Sequence, residues 1–324
     1  MSRILVFGGA GYIGSHTCKR LAEAGHEPVT FDNLCEGHRD FVKWGPMIEA
    51  DITDAGAVRS AIARERPEAI IHFAARSIVP DSLADPGGYY RTNVTGSLNI
   101  LEAARDCGGV PIVFSSSCAV YGAPARLPIR EDTPKSPASP YGRTKLFVEE
   151  MLADFSAAYG LRSMALRYFN ACGADPEGEI GERHRNETHL IPRAIFSALG
   201  RVADFRVFGD DYDTPDGSAI RDYIHVADLA DAHVRACEYL LAGGRSDALN
   251  IGSGHGISVF EIVRAVEAAG AGRVPLEIAP RRAGDPPELV ADTTRAQDVL
   301  GFAAHHSDLA TIIETALAWH RKDA

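Results

Sequence analysis

The sequence predicts an α/β fold: a doubly wound parallel sheet followed by a smaller α/β unit that binds substrate. Three observations predict it. Short apolar, β-branched runs alternate with amphipathic helical stretches through the first half. Those runs are nearly continuously hydrophobic, as strands covered by helices on both faces must be. The rhythm stops near Asn170, after which loops rich in Gly, Asp and Pro occupy 171–188, 209–219 and 280–288.

In chain order, "RILVFGG" reads as a buried strand and "YIGSHTCKRLAEAG" as a helix closed by Gly25. "EPVTFDN", "MIEAD", "AIIHFAA", "VPIVFSSS" and "SMALRYFN" supply further strands. Helices are expected between them at 54–66, 88–107 and 140–159, then at 189–200, 226–243, 258–270 and 307–321. "ALNIGSG" reads as one more buried strand. The expected division is therefore 1–170 and 171–324, with a strand near 248–252 returning to the first sheet.

Of the 324 residues, 45% are hydrophobic and 24% charged, a globular composition. The formal net charge of −11 argues against non-specific nucleic-acid binding. No apolar run is long enough to span a bilayer, so no membrane partner is expected. The start, "MSRILVFGGAGYIG", reads as a strand entering a loop and not as a signal peptide. Cys18, Cys35, Cys107, Cys118, Cys172 and Cys237 form no CxxC pair or zinc spacing. They read as reduced thiols of a cytoplasmic protein. His184, Glu187 and His189 look metal-like, but their spacing does not stack both histidines on one helical face. A polar loop, and no metal, is expected there.

The segment "FGGAGYIG" places Gly8, Gly11 and Gly14 at three-residue intervals, after a strand and before a helix. Such glycines let the backbone turn tightly and approach a pyrophosphate at the helix N-terminus. Asp32 ends the next strand, about 20 residues on, where a ribose-binding carboxylate belongs. Together they predict a dinucleotide site. Asn33, not an arginine, follows Asp32, and a carboxylate repels a 2′-phosphate, so NAD is expected over NADP.

In "SPYGRTKLFVEE", Ser139 can cap a helix, Pro140 suits its first turn, and Tyr141 and Lys145 share one face. A free tyrosine, with a pKa of about 10, is a poor base at neutral pH. A nearby ammonium and a positive nicotinamide favour its phenolate. Tyr141 can then accept a proton from a substrate hydroxyl as the carbon is oxidised. Upstream, "VFSSSCAVYG" ends a buried strand with three serines, well placed to hydrogen-bond the reacting oxygen.

Glycine loop, serine triplet, Tyr-x-x-x-Lys and "RYFN", in this order, resemble the extended short-chain dehydrogenase/reductase superfamily. Within it, "GGAGYIGSHT", "DNL", "IHFAA", "FSSSCAVYG", "SPYGRTK", "LRYFNACGADP", "IRDYIHVADLADAHV" and "RRAGDPPELVAD" resemble the UDP-glucose 4-epimerase family nearly end to end. The resemblance implies a Rossmann-like fold, tightly bound NAD and reversible C4 epimerisation of a UDP-sugar through a 4-keto intermediate. It also implies a role in galactose metabolism and a homodimer formed by the helices near 88–107 and 140–159. Ser117, Tyr141 and Lys145 match the catalytic residues. Gly8, Gly11, Tyr12, Ile13, Gly14, Asp32, Asn33, Asp51, Ile52, Phe73, Ala74, Ala75, Asn93, Ser115, Tyr168 and Phe169 match the cofactor site, with Tyr141 and Lys145. Asn170, His189, Leu190, Val207, Phe208, Arg221, Tyr223, Arg282, Asp285 and Leu289 match the substrate site, with Ser117 and Tyr141. Two arginines from distant segments suit a doubly negative pyrophosphate.

The chain departs from the family pattern at several positions. Phe7 replaces a threonine before the first glycine. Ser77 stands for a lysine near the cofactor phosphates and His189 for an asparagine near the substrate. Leu289 stands for a tyrosine at the sugar end, where residue size bears on N-acetylated sugars. The alternatives are a UDP-pentose or UDP-hexuronic acid 4-epimerase, a nucleotide-sugar dehydratase, or a non-catalytic NAD sensor. A dehydratase commonly has an Asp-Glu pair where this chain has Cys118-Ala119.

Overall fold

The computed structural model describes residues 1–282 and 284–322, so Ala283 of the "RRAGDPPELVAD" segment lies outside the described residues. Thirteen strands are described: β1 (Arg3–Phe7), β2 (Glu27–Asp32), β3 (Met47–Glu49), β4 (Ala69–His72), β5 (Ile112–Ser115), β6 (Ser163–Tyr168), β7 (Asn170–Cys172), β8 (Arg206–Phe208), β9 (Ile220–His225), β10 (Asp247–Ile251), β11 (Gly256–Ser258), β12 (Glu277–Ala279) and β13 (Glu288–Leu289).

Seven of them form one parallel sheet in the order β10-β6-β5-β4-β1-β2-β3. From β1 the chain first builds outward through β2 and β3. It then crosses back to β4 and builds the other way. The crevice beyond the carboxyl ends of β1 and β4 is therefore the topological switch point, where open α/β sheets bind ligands.

Alternation along each strand divides the core in two. Ile4, Val6, Ile71, Val113 and Met164 face the helices Tyr12–Glu23 and Val226–Leu241. Leu5, Phe7, Ile70, Ile112 and Phe114 face the helices Ala55–Glu65, Gly96–Asp106 and Pro140–Tyr159. With both faces covered, a strand has no polar face, which explains the unbroken apolar runs.

The helix expected at 88–107 is a composite path: Pro86–Tyr89, a π-helical stretch Tyr90–Thr95, then Gly96–Asp106. The Val259–Val266 helix likewise runs into a π turn, Glu267–Ala271.

After β6 the chain builds a second core. β9 pairs with β7, β11 and β13, and β8 pairs with β12. Ile191, Ile195, Val207, Tyr223, Ile262, Ile312 and Leu317 fill this unit. The later half also serves the first sheet: β10 extends it, and Leu229, Val234, Ala296, Leu300 and Phe302 join its core.

Candidate active site

The glycine loop runs from β1 into the Tyr12–Glu23 helix at the switch point. Gly8 has φ +83°, and a Cβ there would lie 2.7 Å from the Ala74 backbone nitrogen. A Cβ on Gly14 would lie 2.1 Å from the Gly8 carbonyl oxygen. Both contacts are with backbone, so no rotamer change relieves them. The loop is packed as closely as a backbone-lined phosphate cradle requires, and a dinucleotide fits the residues present.

Buried Asp32 braces this loop: the Ala10 amide donates to one carboxylate oxygen at 3.0 Å and the Leu34 amide to the other at 2.8 Å. Burial raises its pKa, against the pull of those amides. Asn33 donates to Asp51 at 2.7 Å, and Ile52 is buried beside this pair in sequence. The Phe73 and Ala74 amides both donate to the Phe7 carbonyl, which fixes "HFAA" against the loop. Ala75 is half-buried in the same turn and Ser77 is exposed. Asn93 uses its amide internally, accepting from the Arg76 amide and donating to the Arg76 carbonyl and the Thr144 hydroxyl. It therefore braces the loop after β4 against the Pro140–Tyr159 helix. Tyr12 donates to the Gly173 carbonyl at 2.6 Å, and Ile13 packs against the first core.

The second constellation lies on the Pro140–Tyr159 helix, where the Ser139 hydroxyl accepts from the Gly142 amide. Tyr141 and Lys145 are buried, at 7% and 3% exposure. The Lys145 ammonium lies 5.8 Å from the Tyr141 ring centre and donates to the Ser115 carbonyl at 2.7 Å. The Ser115 hydroxyl in turn pairs with the Tyr168 hydroxyl at 2.8 Å. Ser117 sits at the end of β5, and its hydroxyl accepts from the Ala119 amide at 3.2 Å.

Electrostatics here differ from the simplest expectation. Burial pushes the Tyr141 phenol well up, and the nearby Tyr168 adds to it, while a hydrogen bond with Ser117 pulls it down. Burial also lowers Lys145 to about 7, with Glu149 opposing. Lys145 alone therefore does not make a phenolate. A positive charge entering the pocket acts in the required direction.

The lysine shift has a testable sign. Between about pH 7 and about pH 10 the unfolded chain holds a proton on Lys145 that the folded chain has lost. Raising pH through this window therefore stabilises the fold. Cofactor-free protein should gain unfolding free energy relative to Lys145→Met across this window. A difference that stays flat in urea titrations would contradict the shift.

The candidate substrate residues come mainly from the second unit. Arg221 on β9 pairs with Asp285, and its other guanidinium nitrogen donates to the Ile220 carbonyl at 2.7 Å. Arg282 stacks over the Phe208 ring at 4.1 Å. The Asp285 amide donates to the Arg282 carbonyl, so Asp285 links the turn of Arg282 to Arg221 on β9. Leu289 lies opposite Arg221 in the β13–β9 ladder. Leu289 also packs against the cluster of Val120, Tyr121, Ile129, Phe169 and Ala291, as Cys118 and Leu146 do, which joins this ladder to the Pro140–Tyr159 helix and the Ser117 turn. Asn170 donates to the Asp222 carbonyl at 2.9 Å. Leu190 opens the Leu190–Ala198 helix, with His189 at its N-cap. Val207 and Tyr223 are both buried in the second core.

Asp222, Glu149 and Glu182 escaped the sequence reading. Asp222, fully buried between Arg221 and Tyr223, accepts from the Ser253, Gly254 and Ala291 amides and from the Ser253 hydroxyl. Glu149, one turn beyond Lys145, accepts from Arg167 and from the Ser116 hydroxyl. The segment 182–189 is a loop, as expected. It nevertheless brings His184, Glu187 and His189 together with Glu182, with ligand atoms all within 4.8 Å of one another.

A model of the NAD dependent epimerase/dehydratase family matches residues 4–252, which include the glycine loop and the Tyr141–Lys145 pair. The chain belongs to the NAD dependent epimerase/dehydratase family. Among members of this epimerase/dehydratase family, the UDP-glucose 4-epimerase of Rhizobium leguminosarum bv. trifolii is 53% identical over 319 residues, covering 98% of this chain and 97% of the relative. The crystal structure of UDP-glucose 4-epimerase from Brucella ovis in complex with NAD is 52% identical, with a TM-score of 0.96 and 98% of each chain covered. A second structure, of UDP-glucose 4-epimerase from Stenotrophomonas maltophila, holds NAD and formylated UDP-arabinopyranose. It is 40% identical, with a TM-score of 0.96, covering 100% of this chain and 99% of that one.

Proposed function

We propose that the chain interconverts UDP-glucose and UDP-galactose by NAD-dependent inversion at C4. The observation that carries this reading is the burial of Tyr141 and Lys145 on one helical face, with Ser117 near enough to pull the phenol's pKa down against burial. Residues 1–170, joined by β10, hold the dinucleotide, and the rest of 171–324 holds the UDP-sugar. Bound NAD supplies reversible redox exchange with the sugar carbon.

The Tyr141 oxygen takes the proton of the sugar 4-hydroxyl and later returns it. Ser117 hydrogen-bonds the reacting oxygen as it becomes a ketone. Lys145, anchored on the Ser115 carbonyl, favours the phenolate when charged and holds the ribose beside it. Arg221 and Arg282 hold the diphosphate. The Arg221–Asp285 pair keeps one guanidinium oriented before substrate arrives. Inversion requires the 4-keto sugar to present its other face, so strong contacts belong to UDP and weak ones to the sugar. Asp32 selects NAD over NADP.

A cytoplasmic homodimer completes the reading. Support for the dimer comes from the Pro140–Tyr159 helix, which exposes Phe147 and Tyr159, with Tyr90 packed beside Phe147.

Purified protein incubated with UDP-galactose, without added reductant, should yield UDP-glucose and no free NADH. Separate incubations with UDP-GalNAc and UDP-arabinose define the sugar. Conversion of UDP-arabinose alone would replace the hexose reading with a pentose one. No conversion of any of the three would overturn the proposal.

A further inference from the structure

We propose that Glu182, His184, Glu187 and His189 bind one divalent transition cation of the zinc class, which fixes the 182–189 loop. The His184 Nδ1 lies 3.3 Å from a Glu182 oxygen and 3.1 Å from a Glu187 oxygen. The His189 Nδ1 lies 2.6 Å from the same Glu182 oxygen and 3.2 Å from the other Glu187 oxygen. Tetrahedral ligands about 2.0 Å from a metal stand about 3.3 Å apart. Three of these four distances are therefore near ligand spacing, with Glu187 offering a different oxygen to each histidine.

A second observation is independent of spacing. The Glu182 oxygen that faces both imidazoles is buried, and neither nitrogen meets it at a hydrogen-bonding angle. Ion pairs without a well-angled hydrogen bond leave a buried carboxylate oxygen incompletely satisfied, and a directly bound cation would complete it. The two carboxylates hold both imidazoles well above their ordinary pKa, so a divalent cation enters by displacing their two protons and leaves the cluster neutral. Mixed nitrogen and oxygen donors suit zinc and its first-row neighbours.

The surroundings hold the ligands in place. The His189 amide donates to Glu187 at 2.8 Å. The His184 ring meets Tyr12 edge-on at 6.2 Å, and Tyr12 donates to the Gly173 carbonyl. The His189 ring is the most exposed of the four and stands at the N-cap of the Leu190–Ala198 helix. All four ligands lie within 182–189, so a cation fixes this segment itself, with the His184 ring resting on Tyr12 and His189 at the start of the Leu190–Ala198 helix.

The test uses the full-length holoprotein, dialysed against a chelator and titrated with Co²⁺. The expected result is the visible absorption of a tetrahedral cobalt site, saturating at about one equivalent per chain. Zinc should displace it and raise the unfolding temperature. Affinity should fall at least about 10-fold in Glu182→Gln and in His184→Gln. Absence of the cobalt bands in the wild-type protein would overturn the proposal, leaving two imidazolium–carboxylate pairs as the account of the cluster. Equal affinity in folded variants would overturn it too. Should a variant not fold, the wild-type cobalt titration decides alone.

Discussion

Tyr141→Phe should lower kcat by about 10²–10⁴-fold while UDP binding survives. The substitution removes one buried oxygen and leaves the ring, the helix and both arginines in place. Its effect should therefore fall on proton transfer. Arg221 and Arg282, the proposed diphosphate ligands, belong to a different unit of the chain. The measurement pairs UDP-galactose turnover with calorimetric titration of UDP. Near-normal turnover refutes Tyr141 as the base. Loss of UDP binding in step with turnover shows a folding defect and refutes the division of labour.

The other large effect is structural. Arg167 and Glu149 are buried together at 2.6 Å, with second contacts from Arg167 to the Tyr121 hydroxyl at 2.8 Å and from Ser116 to Glu149. Arg167→Met leaves a buried carboxylate with one hydroxyl for company. It should cost about 3–5 kcal/mol of stability. The double variant Arg167→Met/Glu149→Leu should recover most of that, because removing both charges also removes their desolvation cost. Urea unfolding of both variants reads the result, and a double variant no better than the single one contradicts the account. The single variant should also raise the pKa of Lys145, since Glu149 already pulls it upward.

What was legible in the sequence was local. The glycine loop and the Tyr141–Lys145 spacing are each written within a few residues, where strand and helix geometry fix relative position. The strands of the first sheet were visible because burial on both faces leaves an unbroken apolar run. What stayed hidden depends on pairing across the chain. Nothing near Glu149 announces Arg167, 18 residues on, and nothing near Asp222 announces Ala291. The 182–189 cluster was set aside by a test that applies to helices. The segment is a loop, and a loop can converge side chains at spacings no helix allows. The phenol's burial stayed hidden for a similar reason: spacing shows which charges lie near, whereas burial is a property of the whole fold.

Asp222 carries one more consequence. It grips Ser253 and Gly254 on one side and Ala291 on the other, so the chain leaves and re-enters at two fastened points. Everything from β11 to β13, including Arg282 and Asp285, is an excursion between those fastenings. Arg221, next to Asp222, takes its ladder neighbours Ile257 and Leu289 and its ion-pair partner Asp285 from inside that excursion. Substitutions, insertions or deletions there are therefore felt at Arg221 as well as at Arg282. In that sense Asp222 is the clasp of a closed loop, and the 256–289 stretch and β9 can be retuned only together.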